Sequence, residues 1–110
     1  MLFHSTRGKD SNKTFIEVLM QGLAEDGGLF MPDYWPQVDI ESLKKANTFL
    51  DVAKLIVPMF TASSFKDTDV KNILDNTWHD FNEDDLVKIV EIDKKISVLE
   101  LFHGPTAAFK

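Results

Sequence analysis

The sequence predicts an α+β fragment, mainly helical, with a short strand at its start and a β-hairpin near its C-terminus. Three observations predict it. Apolar residues recur at offsets of three and four through the middle of the chain, from Phe15 to Phe81. The period drops to two between residues 86 and 102, where β-branched side chains crowd. The opening "LFHS" is a short extended run cut off by the polar turn "TRGKDSN".

Each element has a local reason. In "TFIEVLMQGL", Phe15, Val18, Leu19 and Leu23 share one helical face, and Thr14 with Glu17 has capping-box spacing. Gly22 is a weak spot near the end of that helix. Asp26-Gly27-Gly28 marks a tight turn, and Pro32 is expected to block further regular structure. Residues 33–39, "DYWPQVD", form a connector whose Pro36 and aromatics are available to pack over the core. Asp39 caps a short helix, "IESLKKA", and Asn47 or Thr48 caps a longer one, "FLDVAKLIVPMF". Phe49, Val52, Ala53, Ile56 and Phe60 line one face of the longer helix, and Pro58 is expected to kink or end it. "DTDVKNILDNTWHDF" is the clearest amphipathic helix: Val70, Ile73, Leu74, Thr77, Trp78 and Phe81 recur along one side, with Asp67 as its natural cap. After the polar "NEDD", "LVKIVEI" alternates, "DKK" turns and "ISVLELF" runs extended again, which is a hairpin by pattern.

Length and composition bound the function. A chain of 110 residues is enough for one domain with a modest core. Apolar content of 44% against 27% charged is the balance of a globular protein, and nine Phe and two Trp supply large buried area. Twelve basic against eighteen acidic side chains leave a net charge of −6, which disfavours nucleic acid and anionic membrane surfaces as partners. The absence of cysteine excludes disulfides, thiolate zinc sites and a cysteine nucleophile within this chain. "MLFHSTRGKD" lacks the basic-then-apolar pattern of a secretory signal, and no apolar run approaches the roughly 20 residues that span a bilayer. A cytoplasmic protein without membrane contact is expected.

Most chemical motifs are missing. His4, His79 and His103 stand far apart without a ligand partner at helical spacing, so no metal site is expected, and His79-Asp80 reads as a surface pair. There is no G-x-S-x-G elbow and no G-x-G-x-x-G fingerprint. The carboxylate run at 83–85 reads as a solvated loop. Two stretches hold more. In "HSTRG", Ser5, Thr6 and Arg7 set two hydroxyls and a guanidinium beside a glycine, a set suited to phosphate. A polar turn with Arg7 in a structural ion pair is the simpler reading of the same residues. In "HGPTAAFK", Gly104-Pro105 forces a turn, Thr106 can cap the residues after it, and "AAFK" can open a helix with Lys110 in its first turn. Amide dipoles and apolar neighbours disfavour a charged amine, and only the neutral amine attacks an aldehyde. A lysine in that position is nevertheless ordinarily solvated, and spacing alone does not reverse this.

Taken together, "FHSTRG" at the start, "GLAEDGGLFMP" at 22–32 and "LELFHGPTAAFK" at 99–110 resemble the N-terminal part of threonine synthase, in the family's order and at its separations. The resemblance implies a pyridoxal 5′-phosphate enzyme of the tryptophan synthase β-like fold (fold type II), a carbon-oxygen lyase acting on phosphate. It implies conversion of O-phospho-L-homoserine and water to L-threonine and phosphate, the last step of threonine biosynthesis. In the family, the lysine of H-G-P-T-x-A-F-K attaches the cofactor, and that position here is Lys110. The same lysine would then move protons at Cα and Cβ as general base and acid. The resemblance also offers Ser5, Thr6, Arg7, His103 and Thr106 as substrate contacts. It divides the chain into residues 1–95, the N-terminal domain, and 96–110, the truncated start of the catalytic domain. The family's chain continues past this lysine, so the chain is expected to be an inactive fragment whose partner is the remaining C-terminal part of the enzyme. A related phospho-lyase releasing 2-oxobutyrate and a non-catalytic N-terminal interaction module are the competing expectations.

Overall fold

Side chains that cap their own neighbours set most of the helix starts. The computed structural model describes residues 1–78 and 87–108. They form β1 (Phe3–Ser5), α1 (Phe15–Gln21), β2 (Phe30–Pro32), α2 (Ile40–Lys44), α3 (Phe49–Thr61), α4 (Asp67–Thr77), β3 (Lys88–Asp93) and β4 (Ile96–Glu100). Thr14 and Glu17 close a capping box on α1, and Gly22 ends that helix at φ 77, a left-handed value that suits glycine. Asp39 caps α2 by accepting from the Glu41 and Ser42 N–H groups. Of the two expected caps for α3, Thr48 holds the position, in a second capping box with Asp51.

Two prolines behave otherwise than expected. Pro58 does not end α3, which runs on to Thr61, and the Pro58 carbonyl accepts from the Ala62 N–H at 3.0 Å. Proline lacks a donor, yet its φ of about −65° is a helical value, so the last turn tolerates it. Pro32 does not block regular structure either; it ends β2, which pairs antiparallel with β1 in the register Phe3↔Pro32, His4↔Met31, Ser5↔Phe30. The reason lies across the strand. Phe3 uses both backbone groups on Lys13, donating at 2.8 Å and accepting at 3.1 Å. Phe3 and Pro32 are therefore a non-hydrogen-bonded pair, the position where a missing N–H removes nothing from the ladder. A third expectation shifts by one residue. Asp67 lies within the first turn of α4 rather than at its cap, and the Lys66 carbonyl accepts from Asp69 and Val70.

The chain divides into two units, Met1–Asn72 and Ile73–Lys110, with the division inside α4. In the first, Phe3, Ala24, Ala53 and Val70 are buried. Phe15 links two further rings, lying 6.0 Å from Phe3 and 6.2 Å from Phe65 between centroids, the second edge-on. From the connector after β2, Trp35 meets Phe60 of α3 edge-on at 6.2 Å. In the second unit, β3 and β4 form the expected hairpin, pairing Lys88 with Glu100, Ile89 with Leu99 and Val90 with Val98, with an irregularity between Glu91 and Asp93. Asp93 fixes its turn by accepting from the Lys95 and Ile96 N–H groups at 2.7 and 3.1 Å. Among the described residues no helix is long and apolar enough to cross a membrane. The part of the predicted helix beyond Trp78, with His79 and Phe81, and the carboxylate run at 83–85 lie outside the described residues.

Candidate functional site

Ser5 comes out of β1 almost fully enclosed, 1% exposed, and its hydroxyl works in two directions. It donates to the Asp26 carboxylate at 2.6 Å and accepts from the Arg7 N–H at 3.1 Å. Asp26 stands in the turn between α1 and β2, where Gly27 donates to the Ala24 carbonyl at 2.8 Å. One Asp26 oxygen takes the Ser5 hydroxyl and the Gly28 N–H at 2.9 Å; the other takes the Lys9 N–H at 2.9 Å. Hydrogen bonding to the charged form, from Ser5 above all, holds the Asp26 carboxyl below its ordinary value, and the nearby Arg7 charge acts in the same sense. Thr6 seals the other side, accepting from the Leu29 N–H at 3.1 Å while its own N–H donates to the Leu29 carbonyl at 2.8 Å.

Glycine is required at the centre of this lacing. A Cβ on Gly28 would lie 2.1 Å from the Ser5 hydroxyl oxygen, far inside contact distance. Gly27 is at φ 75, in the left-handed region. A neighbouring carboxylate completes the frame. Asp10, nearly buried, accepts from Gln21 Nε2 at 2.8 Å and from the Glu25 N–H at 3.3 Å, with Lys13 Nζ 3.4 Å away. The Gln21 bond is the main reason its carboxyl also sits low.

The sequence singles out Ser5, Thr6 and Arg7 as a set suited to an anion, and the structure brings all three to the Asp26–Leu29 turn. Ser5 and Thr6 hold the Asp26–Leu29 turn in place. Arg7 forms no ion pair among the described residues; one guanidinium nitrogen donates to the Asp26 backbone carbonyl at 3.0 Å. Arg7, Lys9, Glu25 and Asp26 line an open cavity of about 490 Å³. The roles of Asp26 and Asp10 carry no local signal in the sequence, because their side-chain partners Ser5 and Gln21 lie 21 and 11 positions away.

In the second unit, the segment after β4 brings His103 against Glu100, with Nε2 and Oε2 2.8 Å apart. The Ala107 N–H closes a turn onto the Gly104 carbonyl at 2.9 Å, Gly104 is buried, and Ala107 has φ 50. Residues 104–108, Thr106 among them, form turn and bend rather than the opening of a helix, since the left-handed Ala107 interrupts helical geometry. Lys110 lies outside the described residues. Among the described residues no three His, Asp or Glu side chains are grouped to hold a metal.

Comparisons with known proteins agree with one another. Residues 2–78 match the family model described as the threonine synthase N terminus. A protein named threonine synthase from Pseudomonas aeruginosa is 38% identical over 112 residues, covering all of this chain and 24% of its own length. A protein named threonine synthase-like 2 from Xenopus laevis is 34% identical over 113 residues with the same coverage. The crystal structure of pyridoxal-phosphate-bound threonine synthase from Brucella melitensis superposes with a TM-score of 0.86 at 34% identity, over 99% of this chain and 24% of that one. The chain thus spans about a quarter of the length of the relatives it matches.

Proposed function

The chain belongs to the threonine synthase N-terminal family, and from that premise we propose that it serves a pyridoxal 5′-phosphate enzyme converting O-phospho-L-homoserine and water to L-threonine and phosphate. The observation that carries the reading is the family match over residues 2–78. In this reading residues 1–95 are the N-terminal domain and 96–110 open the catalytic domain. The remaining partner is the C-terminal part that makes up most of the relatives' length.

Lys110 is the residue we assign to attach the cofactor. The described residues that precede it suit such a role by their small size: a turn built on the buried Gly104, then Ala107 and Ala108. The cofactor, when bound, supplies an electron sink for carbanions at the substrate carbons. The chain's part is to bind and to move protons: the Lys110 amine would take protons from Cα and Cβ so that phosphate can leave from Cγ. Protons would return at Cγ, making the methyl group, and at Cα once water has added at Cβ. Thr6, Arg7, His103 and Thr106 are proposed as substrate contacts. Thr6 keeps its hydroxyl proton for donation, and Arg7 keeps guanidinium N–H groups beyond the one on Asp26. Ser5, being enclosed, would act through the turn that it holds.

In the longer protein that carries this sequence, Lys110→Ala is expected to abolish threonine formation measured by amino-acid analysis. Retained activity would leave the chain as a non-catalytic interaction module. One observation keeps a second reading: a protein named threonine synthase-like 2 aligns over the whole chain just as those named threonine synthase do. There the same substrate and water would give phosphate, ammonia and 2-oxobutyrate, and assaying threonine against 2-oxobutyrate separates the two. The 110-residue chain by itself, a quarter of the relatives' length, is expected to form neither product.

A further inference from the structure

Helix α1 keeps its polar side chains occupied and leaves its apolar ones bare. Glu17 is taken up by the capping box, accepting from the Thr14 N–H at 2.8 Å and from the Thr14 hydroxyl at 2.7 Å. Gln21 donates to Asp10 at 2.8 Å. The face that the sequence assigns to Phe15, Val18, Leu19 and Leu23 is split, because only Phe15 and Val18 are half-buried. Leu19 and Leu23 stay exposed, and Met20, which shares their side of the helix, is 82% exposed. The Ala24 N–H donates to the Gly28 carbonyl at 3.1 Å and so closes the loop that leads the chain from Leu23 to Leu29, another exposed leucine. None of these four side chains carries a charge, and the flexible thioether of Met20 adapts to whatever packs against it.

We propose that Leu19, Met20, Leu23 and Leu29 form a docking surface that receives an apolar segment of the C-terminal part of the longer protein. Only the identity of the covering polypeptide rests on the functional reading above. Size decides against a separate partner. Four aliphatic side chains offer no more than about 500 Å² of apolar surface. A stable complex of separate molecules buries about 800 Å² on each partner. A tethered segment needs less, because its effective concentration is about millimolar when the linker is short. This chain covers 24% of the length of the relatives it matches, so the longer protein holds ample polypeptide to supply such a segment.

Met20 reports on the cover directly. Hydrogen peroxide adds one oxygen to the thioether sulfur and leaves as water, and it needs access to do so. After timed exposure to peroxide, peptide mass spectrometry should find Met20 oxidised at least about tenfold more slowly in the longer protein than in the chain of 110 residues. The protection should not depend on protein concentration, since the cover is tethered. Met20→Glu then places a charge on the surface while keeping a good helix former, so the urea midpoint of the 110-residue chain should not move. In the longer protein the same substitution should raise the exchange of α1 amides towards the rate in the shorter chain. Equal oxidation of Met20 in the two proteins would overturn the proposal, and so would unchanged α1 exchange in the longer Met20→Glu protein. Protection that appears only as concentration is raised would overturn it as well, by marking a second copy as the occupant. Neither measurement reads threonine, so a longer protein that forms none would overturn the functional reading and leave the docking surface to be judged by the oxidation rates.

Discussion

Ser5 shows how a single hydroxyl can hold two loops together. Its oxygen sits between the Asp26 carboxylate and the Arg7 amide, and Gly28 leaves it the space to do so. Gly28→Ala is therefore expected to destabilise the protein by about 1–3 kcal/mol, the usual cost of forcing extra volume into a packed position. A shift of the urea midpoint measures it. Gly8→Ala is the contrast: Gly8, unlike Gly28, is left-handed at φ 79, and no atom lies within 4 Å of the added Cβ, so there only a backbone cost of about 1–2 kcal/mol applies. An unchanged urea midpoint in Gly28→Ala would contradict the close approach.

The same lacing contributes to stability against acid. Asp26 and Asp10 both have carboxyl groups held below their ordinary value in the folded chain, by Ser5 and Gln21 respectively. A lowered folded value means that the unfolded chain takes up the proton first. The stabilisation is complete above the unfolded value of about 3.9 and is lost as pH falls through the lower folded values. Asp26→Asn is expected to flatten the acid side of a stability-against-pH curve below about pH 4, and denaturation at stepped pH would show an unchanged slope if the carboxylate were not so held.

At the scale of the element, the helices and the hairpin are legible because their signals are local. A capping box spans four positions, so Thr14 with Glu17 is enough to declare α1, and Thr48 with Asp51 sets the start of α3 in the same way. Thr48→Ala should lower stability by about 1 kcal/mol, read from thermal unfolding, with the loss confined to a chain that keeps its fold. The alternation at residues 88–100 likewise announces β3 and β4. Strand β2 is not legible, because three residues ending in proline carry no period and the partner strand is about 27 positions away. The lacing of Asp26 is hidden for the same reason: Ser5 and Asp26 each look like ordinary turn residues until the chain has brought them together. Pro58 misleads because its missing donor suggests a break while its helical φ fits the last turn of α3.

At the scale of the molecule, the second unit leaves much apolar surface uncovered. Ile89 and Leu99 lie opposite each other on one face of the hairpin, Val90 and Val98 on the other, and Ile89 is 70% exposed. A sheet with apolar residues on both faces is built to be covered on both. In the longer protein, amides of β3 and β4 are expected to exchange at least about tenfold more slowly than in the chain of 110 residues, equivalent to about 1.4 kcal/mol of added local stability. Equal exchange rates by mass spectrometry would mean that the remaining polypeptide does not cover the hairpin.

Pro32 carries a consequence of another kind. Placed opposite Phe3, it leaves every backbone bond between β1 and β2 intact. Moved one position along, it would face a residue whose carbonyl needs a donor that proline does not have, and every side chain of the strand would turn to the wrong side. The residue that looks like an obstacle to a strand thus acts as a proofreader of alignment: only one pairing of the two strands is free of error. An insertion between Gly28 and Pro32 should for that reason be far more damaging than one in the connector at residues 33–39.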